Sequence, residues 1–186
     1  MSTPPSPGRL LRYTLSIYRN KDSPDDEAEK FARDYVKKIA PLHARHGIEM
    51  YQTIYSPLAY RTALDAMNRQ DGRGFIVDDH EVTVEFYFRS FAELSSVTSD
   101  PEFQAFQAAE APYVDLVRAV VSLGWVETYV AEGRVVNFRE QEDGAVASAY
   151  PSWAELGDLS TAFPPKKEGK DGGEGGKREQ ARGSAE

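Results

Sequence analysis

The stretch LLRYTLSIYRN, residues 10–20, alternates apolar and polar side chains with a period of two. This period places successive side chains on opposite faces of a strand, and its aromatic and β-branched residues favour the same assignment. The pattern returns in residues 48–55, within residues 75–90, and in residues 124–138, where a turn is expected at 132–133. The sequence therefore predicts four strands.

Helices are predicted between these strands, and the clearest of them lies in residues 21–47. Its apolar stripe repeats every four residues and consists of Phe31, Tyr35 and Ile39. Ser23 is expected to cap this helix, and Pro41 is expected to kink or divide it because proline lacks a backbone donor. Residues 57–70 predict a short helix, and residues 91–123 predict helix in parts, with one interruption.

The order strand, helix, strand, strand, helix, strand predicts an α+β, ferredoxin-like βαββαβ fold. Helices cover only one face of such a sheet, and this sequence places sizeable side chains on both faces. A homodimeric α+β barrel is therefore expected to bury the second face. The predicted organisation is a flexible N-terminus at 1–8, one barrel domain at 9–138, a C-terminal arm at 139–163 and a disordered tail at 164–186.

Composition excludes several classes of partner. The net charge is −8 and there is no cysteine. An acidic surface does not attract the phosphates of nucleic acid or an anionic membrane, so neither is expected as a partner. The absence of cysteine excludes disulfides and thiolate chemistry. The polar, proline-rich start is unlike a secretory signal and no apolar run is long enough to span a membrane, so a soluble, cytoplasmic protein is expected.

The three histidines are the first candidates for chemistry. His43 and His46 share one helix face, but a metal site needs further ligands that the spacing does not supply, so no metal is expected. We expect His43 to face solvent and His46 to end the helix near a cavity. Imidazole titrates near neutrality, and a carboxyl in an apolar pocket has a raised pKa, so both suit proton transfer. The predicted catalytic residues are His46, His80, Asp79 and Glu85.

Aromatic residues are frequent on the predicted elements. Tyrosine combines an aromatic wall with a hydroxyl, which suits a flat phenolic ligand, although ordinary core packing is the alternative for each residue. The predicted substrate-binding residues are Tyr13, Tyr51, Tyr55, Tyr87, Tyr113 and Trp125. The sequence contains no glycine-rich nucleotide fingerprint, P-loop or serine-hydrolase elbow, so no cofactor is expected.

Several motifs in residues 9–138 resemble those of the fungal EthD-domain proteins. They are the start LLRYTLSIYRNKDSPDDEAEKFARDYVKKIAPLHARHGIEMYQTIY with its HGI turn, the strand VDDHEVTVEF, the step DPEF and the final strand GWVETYVAEGRVVNF. The resemblance implies a dimeric α+β barrel. It also implies an association with polyketide pathways, in which several members are cofactor-free decarboxylases or dehydratases of aromatic polyketide acids.

One departure from the family pattern bears on activity. Family members commonly read HAPL late in the first helix, whereas this chain reads IAPL, so Ile39 replaces that histidine. The resemblance maps His46 onto the family's HG turn and Asp79 onto the acidic residue ahead of VEF. His43 lies one turn after Ile39 and could replace the lost histidine only if the site were shifted.

Three functions follow as hypotheses. The first is a cofactor-free lyase, a decarboxylase or dehydratase acting on an aromatic polyketide. The second is a non-catalytic ligand-binding barrel, which the loss of the histidine at Ile39 favours. The third is a cofactor-free monooxygenase of the same fold. An enclosed cavity with an inward-facing titratable group would favour a catalytic protein.

Overall fold

The computed structural model describes residues 8–152. The elements in chain order are β1 (Leu10–Arg19), α1 (Asp25–Arg45), β2 (Met50–Tyr55), α2 (Leu58–Gln70), β3 (Val82–Phe88), α3 (Phe91–Ser99), α4 (Pro101–Glu110), β4 (Val114–Val126), β5 (Val130–Ala131), β6 (Arg134–Val135), β7 (Phe138–Glu140) and β8 (Val146–Ser148). The predicted disordered tail and residues 153–163 of the predicted arm lie outside the described residues.

The main sheet has the strand order β2-β3-β1-β4, and all neighbouring strands are antiparallel. Tyr13 of β1 lies opposite Phe86 of β3 on one side and Leu123 of β4 on the other. The two central strands are thus not consecutive in the chain, as the βαββαβ arrangement requires. The predicted α+β, ferredoxin-like fold is confirmed.

One face of the sheet forms the core with α1, α3 and α4. Ile39 and Leu42 of α1 pack in one cluster with Phe88 of β3, Val97 of α3 and Phe103 of α4. Each of these side chains is at least nine-tenths buried. Burying apolar surface at about 25 cal/mol per Å² makes this cluster the main source of stability. We call this side of the sheet the core face.

The other side, the second face, is polar at its centre. Alternation along β1 and β3 places Arg12, Thr14, Glu85 and Tyr87 there, and Gln52 of β2 lies opposite Glu85. The sizeable side chains expected on this face are therefore present, but those at its centre are polar. Exposed apolar residues occur at its rims, on the outer strands; they are Met50, Ile54 and Val120.

Two features of α1 differ from the sequence expectation. The helix is not divided at Pro41, which lies in its penultimate turn between the buried Ile39 and Leu42. Ser23 makes no capping hydrogen bond, and the helix starts directly after Pro24. Gly47, which follows the helix, has a φ of 84°, a conformation that favours glycine.

The fourth strand starts earlier than the sequence indicates. Residues 114–123, predicted to be partly helical, form most of β4. Their apolar run VDLVRAVVSL has no clear period of two, and pairing with β1 decides the conformation. The expected turn at 132–133 is confirmed, since Glu132 and Gly133 both have positive φ between β5 and β6. Within residues 8–152, no helix combines the length and apolarity that a membrane span needs.

Candidate functional site

A cavity of about 870 Å³ lies between the N-terminal half of α1 and the core face of the sheet. It arises because the side chains on the inward face of α1 differ in size along the helix. Ala28 and Ala32 leave space above the sheet, whereas Ile39 and Leu42 further along the same helix fill it. Residues that line the cavity include Ile17, Tyr18, Phe31, Tyr35, Thr53, Tyr55, Arg61, Val82, Glu110 and Tyr113.

Glu110, the last residue of α4, lines this cavity, as do Glu29 and Glu81. Burial raises the pKa of Glu110, and a hydrogen bond from the Tyr35 hydroxyl partly opposes this rise. Burial also raises the pKa of Tyr35, and the charge of Glu110 adds to it. Tyr35 therefore stays protonated, and Glu110 takes up a proton more readily than an ordinary glutamate does.

Tyr51 of β2 lies near the cavity but does not line it. It lies on the core face two residues before Thr53, which lines the cavity. Burial raises the pKa of Tyr51, a hydrogen bond from Thr53 lowers it, and the charge of Glu110 raises it further.

His43 is not exposed, which corrects the expectation from the sequence. Only 2% of it is accessible, and its ring lies 4.6 Å from the ring of Tyr51, 5.1 Å from Phe86 and 5.8 Å from Phe103. Burial lowers the pKa of His43 to about 4, and the nearby His46 adds to the effect. The imidazole is therefore neutral at pH 7, and its Nδ1 has no hydrogen-bond partner among the described residues.

The aromatic residues predicted to bind substrate divide between four places. Tyr55 and Tyr113 line the cavity, and Tyr113 stacks on Phe31 with ring centroids 4.2 Å apart and planes 14° apart. Tyr13 and Tyr51 lie on the same face of the sheet, deeper in the core. Tyr87 lies on the second face, and Trp125 lies on the outer strand β4 with the Arg9 guanidinium 5.5 Å from its ring.

The predicted catalytic residue His46 lies at the far end of α1 from the cavity-lining residues. Its Nε2 is 2.7 Å from Asp100 Oδ2, and Asp100 also accepts a 3.1 Å bond from Arg45. Asp100 caps α4 by accepting from the backbone N–H of Glu102 at 2.7 Å. The cluster joins the end of one helix to the start of another, which is a structural arrangement.

His80 and Asp79 lie behind the cavity wall rather than in it. Both contact Tyr18, which lines the cavity: Asp79 accepts from the Tyr18 hydroxyl, and the His80 ring lies 4.4 Å from the Tyr18 ring. Asp78, Asp79 and His80 bring their ligand atoms within 4.8 Å of one another, which makes them the one cluster in residues 8–152 that could hold a metal ion. Both carboxylates are exposed, and such acidic groups are common without a metal.

Glu85 lies on the second face, away from the cavity. Its carboxylate accepts from Gln52 at 2.6 Å and from the Tyr87 hydroxyl at 2.7 Å, and Arg12 lies 3.5 Å away. Burial alone would raise the pKa of Glu85, but these hydrogen bonds and the charge of Arg12 lower it. The raised pKa expected for an apolar pocket is therefore absent, because strand neighbours satisfy the carboxylate.

Sequence reasoning missed Glu110 and Tyr35 as partners in a site. Tyr35 was assigned to the apolar stripe of α1, and Glu110 ends a helix where a carboxylate usually faces solvent. The available signal was the pair of alanines, Ala28 and Ala32, which interrupts a stripe of large residues and indicates unfilled space beside Tyr35.

Sequence comparison finds relatives of this chain in fungi, although no protein-family model matches it. A protein of Aspergillus terreus named "Putative oxygenase" is 42% identical over 134 residues, which are 72% of this chain and 84% of that protein. The "Conidial pigment biosynthesis dehydratase EthD" of Metarhizium robertsii is 25% identical over 141 residues, 73% and 95% of the two chains. "Dehydratase aurZ" of Gibberella zeae is 23% identical over 132 residues, 70% and 86% of the two.

Proposed function

The chain belongs to the fungal EthD-domain family, and from this premise we propose that it is a cofactor-free lyase that dehydrates an aromatic polyketide intermediate. Fungal relatives that are named dehydratases support the reaction type. The cavity between α1 and the sheet is the proposed active site. Proton transfer is assigned to Glu110 rather than to the sequence candidates His46, His80, Asp79 and Glu85, none of which lines the cavity.

One observation carries this proposal: a carboxyl of raised pKa, held by a phenol, faces an aromatic cavity. Dehydration of a β-hydroxy carbonyl compound needs a base at the carbon next to the carbonyl and an acid at the leaving hydroxyl. The Glu110 carboxylate takes the proton from carbon, and the electron pair forms an enolate. The enolate expels the hydroxyl, which leaves as water with the proton returned by Glu110.

The cavity has the dimensions of a flat ligand. From β2 to β4 it crosses three strand spacings of about 4.8 Å, or about 14 Å in all. Its volume of about 870 Å³ lies in the range of small-molecule sites, which is about 300–1,000 Å³. Phe31 and Tyr113 stack against each other in its wall and offer a surface on which fused aromatic rings can lie.

We also propose that the chain forms a homodimer through the second face of its sheet. The polar centre and apolar rims of the second face fit a second copy of the sheet, which would cover Met50, Ile54 and Val120. The cavity lies on the opposite side of the sheet, so dimer formation leaves it accessible.

An oxygenase is the second candidate, favoured by the name of the 42% identical relative. It would start with the same step, because proton removal from a phenolic carbon acid gives a carbanion that O2 can oxidise. Decarboxylation is the third reaction that the same site could support, since it needs a proton delivered to carbon.

The test is a turnover screen with hydroxylated tetralone and anthrone acids, followed by mass spectrometry with and without O2 and with and without EDTA. We expect loss of one water, independent of O2 and EDTA, and a fall of about 10²–10⁴ in rate in Glu110→Gln. Glu85→Gln is the matched control and should retain turnover. Product that gains oxygen only under O2 would replace the dehydratase by the oxygenase, and unchanged turnover in Glu110→Gln would overturn the assignment of the base.

A further inference from the structure

We propose that Arg61, in the first turns of α2, forms an anion-binding subsite in the wall of this cavity, where its guanidinium binds a carboxylate of the aromatic substrate. The inference rests on the proposed function, because it concerns a ligand of the same cavity. It adds a specificity-determining residue, which selects an aromatic acid over a neutral aromatic compound of the same shape.

Arg61 lines the cavity and has a hydrogen-bond donor to offer a ligand. A guanidinium carries five N–H donors in a planar fork. The Nη1 of Arg61 donates to the backbone carbonyl of Asp79, whereas its Nε is buried and has no hydrogen-bond partner among the described residues. Buried donors are usually satisfied, and leaving one unpaired is costly. The unpaired Nε therefore indicates a partner that enters with a ligand.

The start of α2 supports an anion at the same place. Ser56, Pro57 and Leu58 line the cavity, so this 13-residue helix begins in the cavity wall. No side chain caps the helix, and its first turn contains no acidic residue. The first backbone N–H groups of a helix attract negative charge, and helical side chains lean towards that end. Arg61 and the helix end therefore act on the same part of the cavity.

The charge of Arg61 is not consumed by an ion pair in residues 8–152. Asp78 feels this charge through space, but the carboxylate of Asp78 pairs with His80 instead. Glu81, a carboxylate of the cavity wall, accepts from the backbone N–H of Arg19 at 2.9 Å. Arg61 thus keeps a net positive charge in the wall that a ligand carboxylate can neutralise, with charge-assisted hydrogen bonds in a bidentate arrangement.

Arg33 supplies a matched control, because it lines the same cavity with its charge already paired. Its Nε and Nη2 lie 2.8 Å and 2.7 Å from Oε1 of Glu29, and 71% of its side chain is exposed. Arg33→Gln and Arg61→Gln therefore remove the same charge from one cavity wall. A general effect of positive charge on the binding of anions would change both variants alike.

Arg61→Lys separates the shape of the guanidinium from its charge. Lysine keeps the positive charge but has a single ammonium group and no planar fork. An ammonium that replaces the bond to the Asp79 carbonyl is less available to a ligand, so binding of a carboxylate should fall between wild type and Arg61→Gln. Because Arg61→Lys also retains a donor for Asp79, it decides the question if Arg61→Gln does not fold.

The experiment compares the binding of 2-naphthoate with that of 2-naphthamide, its neutral isostere, by fluorescence titration at pH 7. We expect the wild type to prefer 2-naphthoate by about tenfold or more, and Arg61→Gln to lose this preference. Arg61→Lys should keep part of it, and Arg33→Gln should keep all of it. No preference in the wild type, an unchanged preference in Arg61→Gln or Arg61→Lys, or an equal loss in Arg33→Gln would overturn the proposal.

The two proposals can fail separately. For an acid that is turned over, Arg61→Gln should raise KM about tenfold with little change in kcat, because binding of the carboxylate is the same before and during the reaction. A naphthoate preference that depends on Arg61, in a protein that turns over no substrate, would support the subsite and contradict the lyase. Turnover that requires Glu110, with an unchanged KM in Arg61→Gln, would support the lyase and contradict the subsite. Melting temperatures of all variants separate either result from loss of fold.

Discussion

Two glutamates on opposite sides of one sheet have opposite properties. Glu110 faces the cavity on the core face, has one phenol as a partner, and has a raised pKa. Glu85 lies on the second face, has an amide, a phenol and a guanidinium as partners, and has a lowered pKa. Both carboxyls are desolvated, so burial does not explain the difference between their pKa values. The number of hydrogen-bond donors around each carboxylate explains it.

This difference distinguishes a carboxylate that stabilises the sheet from a carboxylate that is suited to proton transfer. A carboxylate whose acceptor positions are filled holds strands together and has little tendency to take a proton. A carboxylate with one donor, next to open space, can exchange a proton with whatever enters that space. The predictions below test the contrast between the two faces, starting with the largest effect.

The largest expected effect is on the pH dependence of turnover. Glu110 acts as a base only when ionised, so kcat/KM falls about tenfold for each pH unit below its pKa. Because that pKa is raised, the acid limb should have its midpoint above the ordinary glutamate value of about 4.3. A pH–rate profile from pH 4 to pH 8 measures it.

Glu85→Gln provides the control for this profile. It should leave the midpoint in place, because Glu85 lies on the second face, away from the cavity, and its pKa is lowered rather than raised. An acid limb that moves in Glu85→Gln would show that the second face takes part in proton transfer and would remove the contrast.

The next largest effect concerns Ile39, which occupies the position of the family histidine. Ile39 is fully buried in the apolar cluster, so Ile39→His would bury an imidazole without an evident partner. We expect a loss of about 3 kcal/mol in the free energy of unfolding, measured by urea denaturation, and no gain in turnover. Ile39→Val, with an expected loss of about 1 kcal/mol, is the control. Turnover gained by Ile39→His would contradict the assignment of proton transfer to Glu110.

The sequence predicts the sheet far better than the site. Alternation sorts the strand residues onto two faces, and in the structure Tyr55 lines the cavity while Phe86 and Phe88 lie in the core on the same face. Glu110 could not be predicted in this way, because its raised pKa depends on burial, which arises only when the end of α4 packs near α1 in the folded chain. The prediction that His43 faces solvent is wrong for the same reason. Residues of α4 and β2 cover its side of the helix, and the sequence does not show which elements pack there.

A smaller effect is expected on stability, with opposite signs on the two faces. A carboxyl with a raised pKa stabilises the folded state below its unfolded pKa and loses this contribution as the pH rises through the folded pKa, so ionised Glu110 destabilises at pH 7. Glu110→Gln should therefore unfold at a higher urea concentration than the wild type. Glu85→Gln should lose about 1–2 kcal/mol, because Gln52 and Tyr87 lose a charged acceptor. Changes of the same sign in both variants would contradict the contrast.

The smallest effect lies away from both faces, where Asp100 joins the end of α1 to the start of α4. Hydrogen bonds from His46 and from the backbone N–H of Glu102 are the main reasons that its pKa falls to about 2. A lowered pKa contributes stability above the unfolded value of about 3.9, and this contribution is lost as the pH falls towards 2. Asp100→Asn should lower the melting temperature by a few degrees at pH 6, and the difference should shrink between pH 4 and pH 2. Asp65→Asn, at an exposed pair with Arg69, should change little at either pH. A difference that persists unchanged at pH 2 would show that Asp100 acts through packing rather than charge.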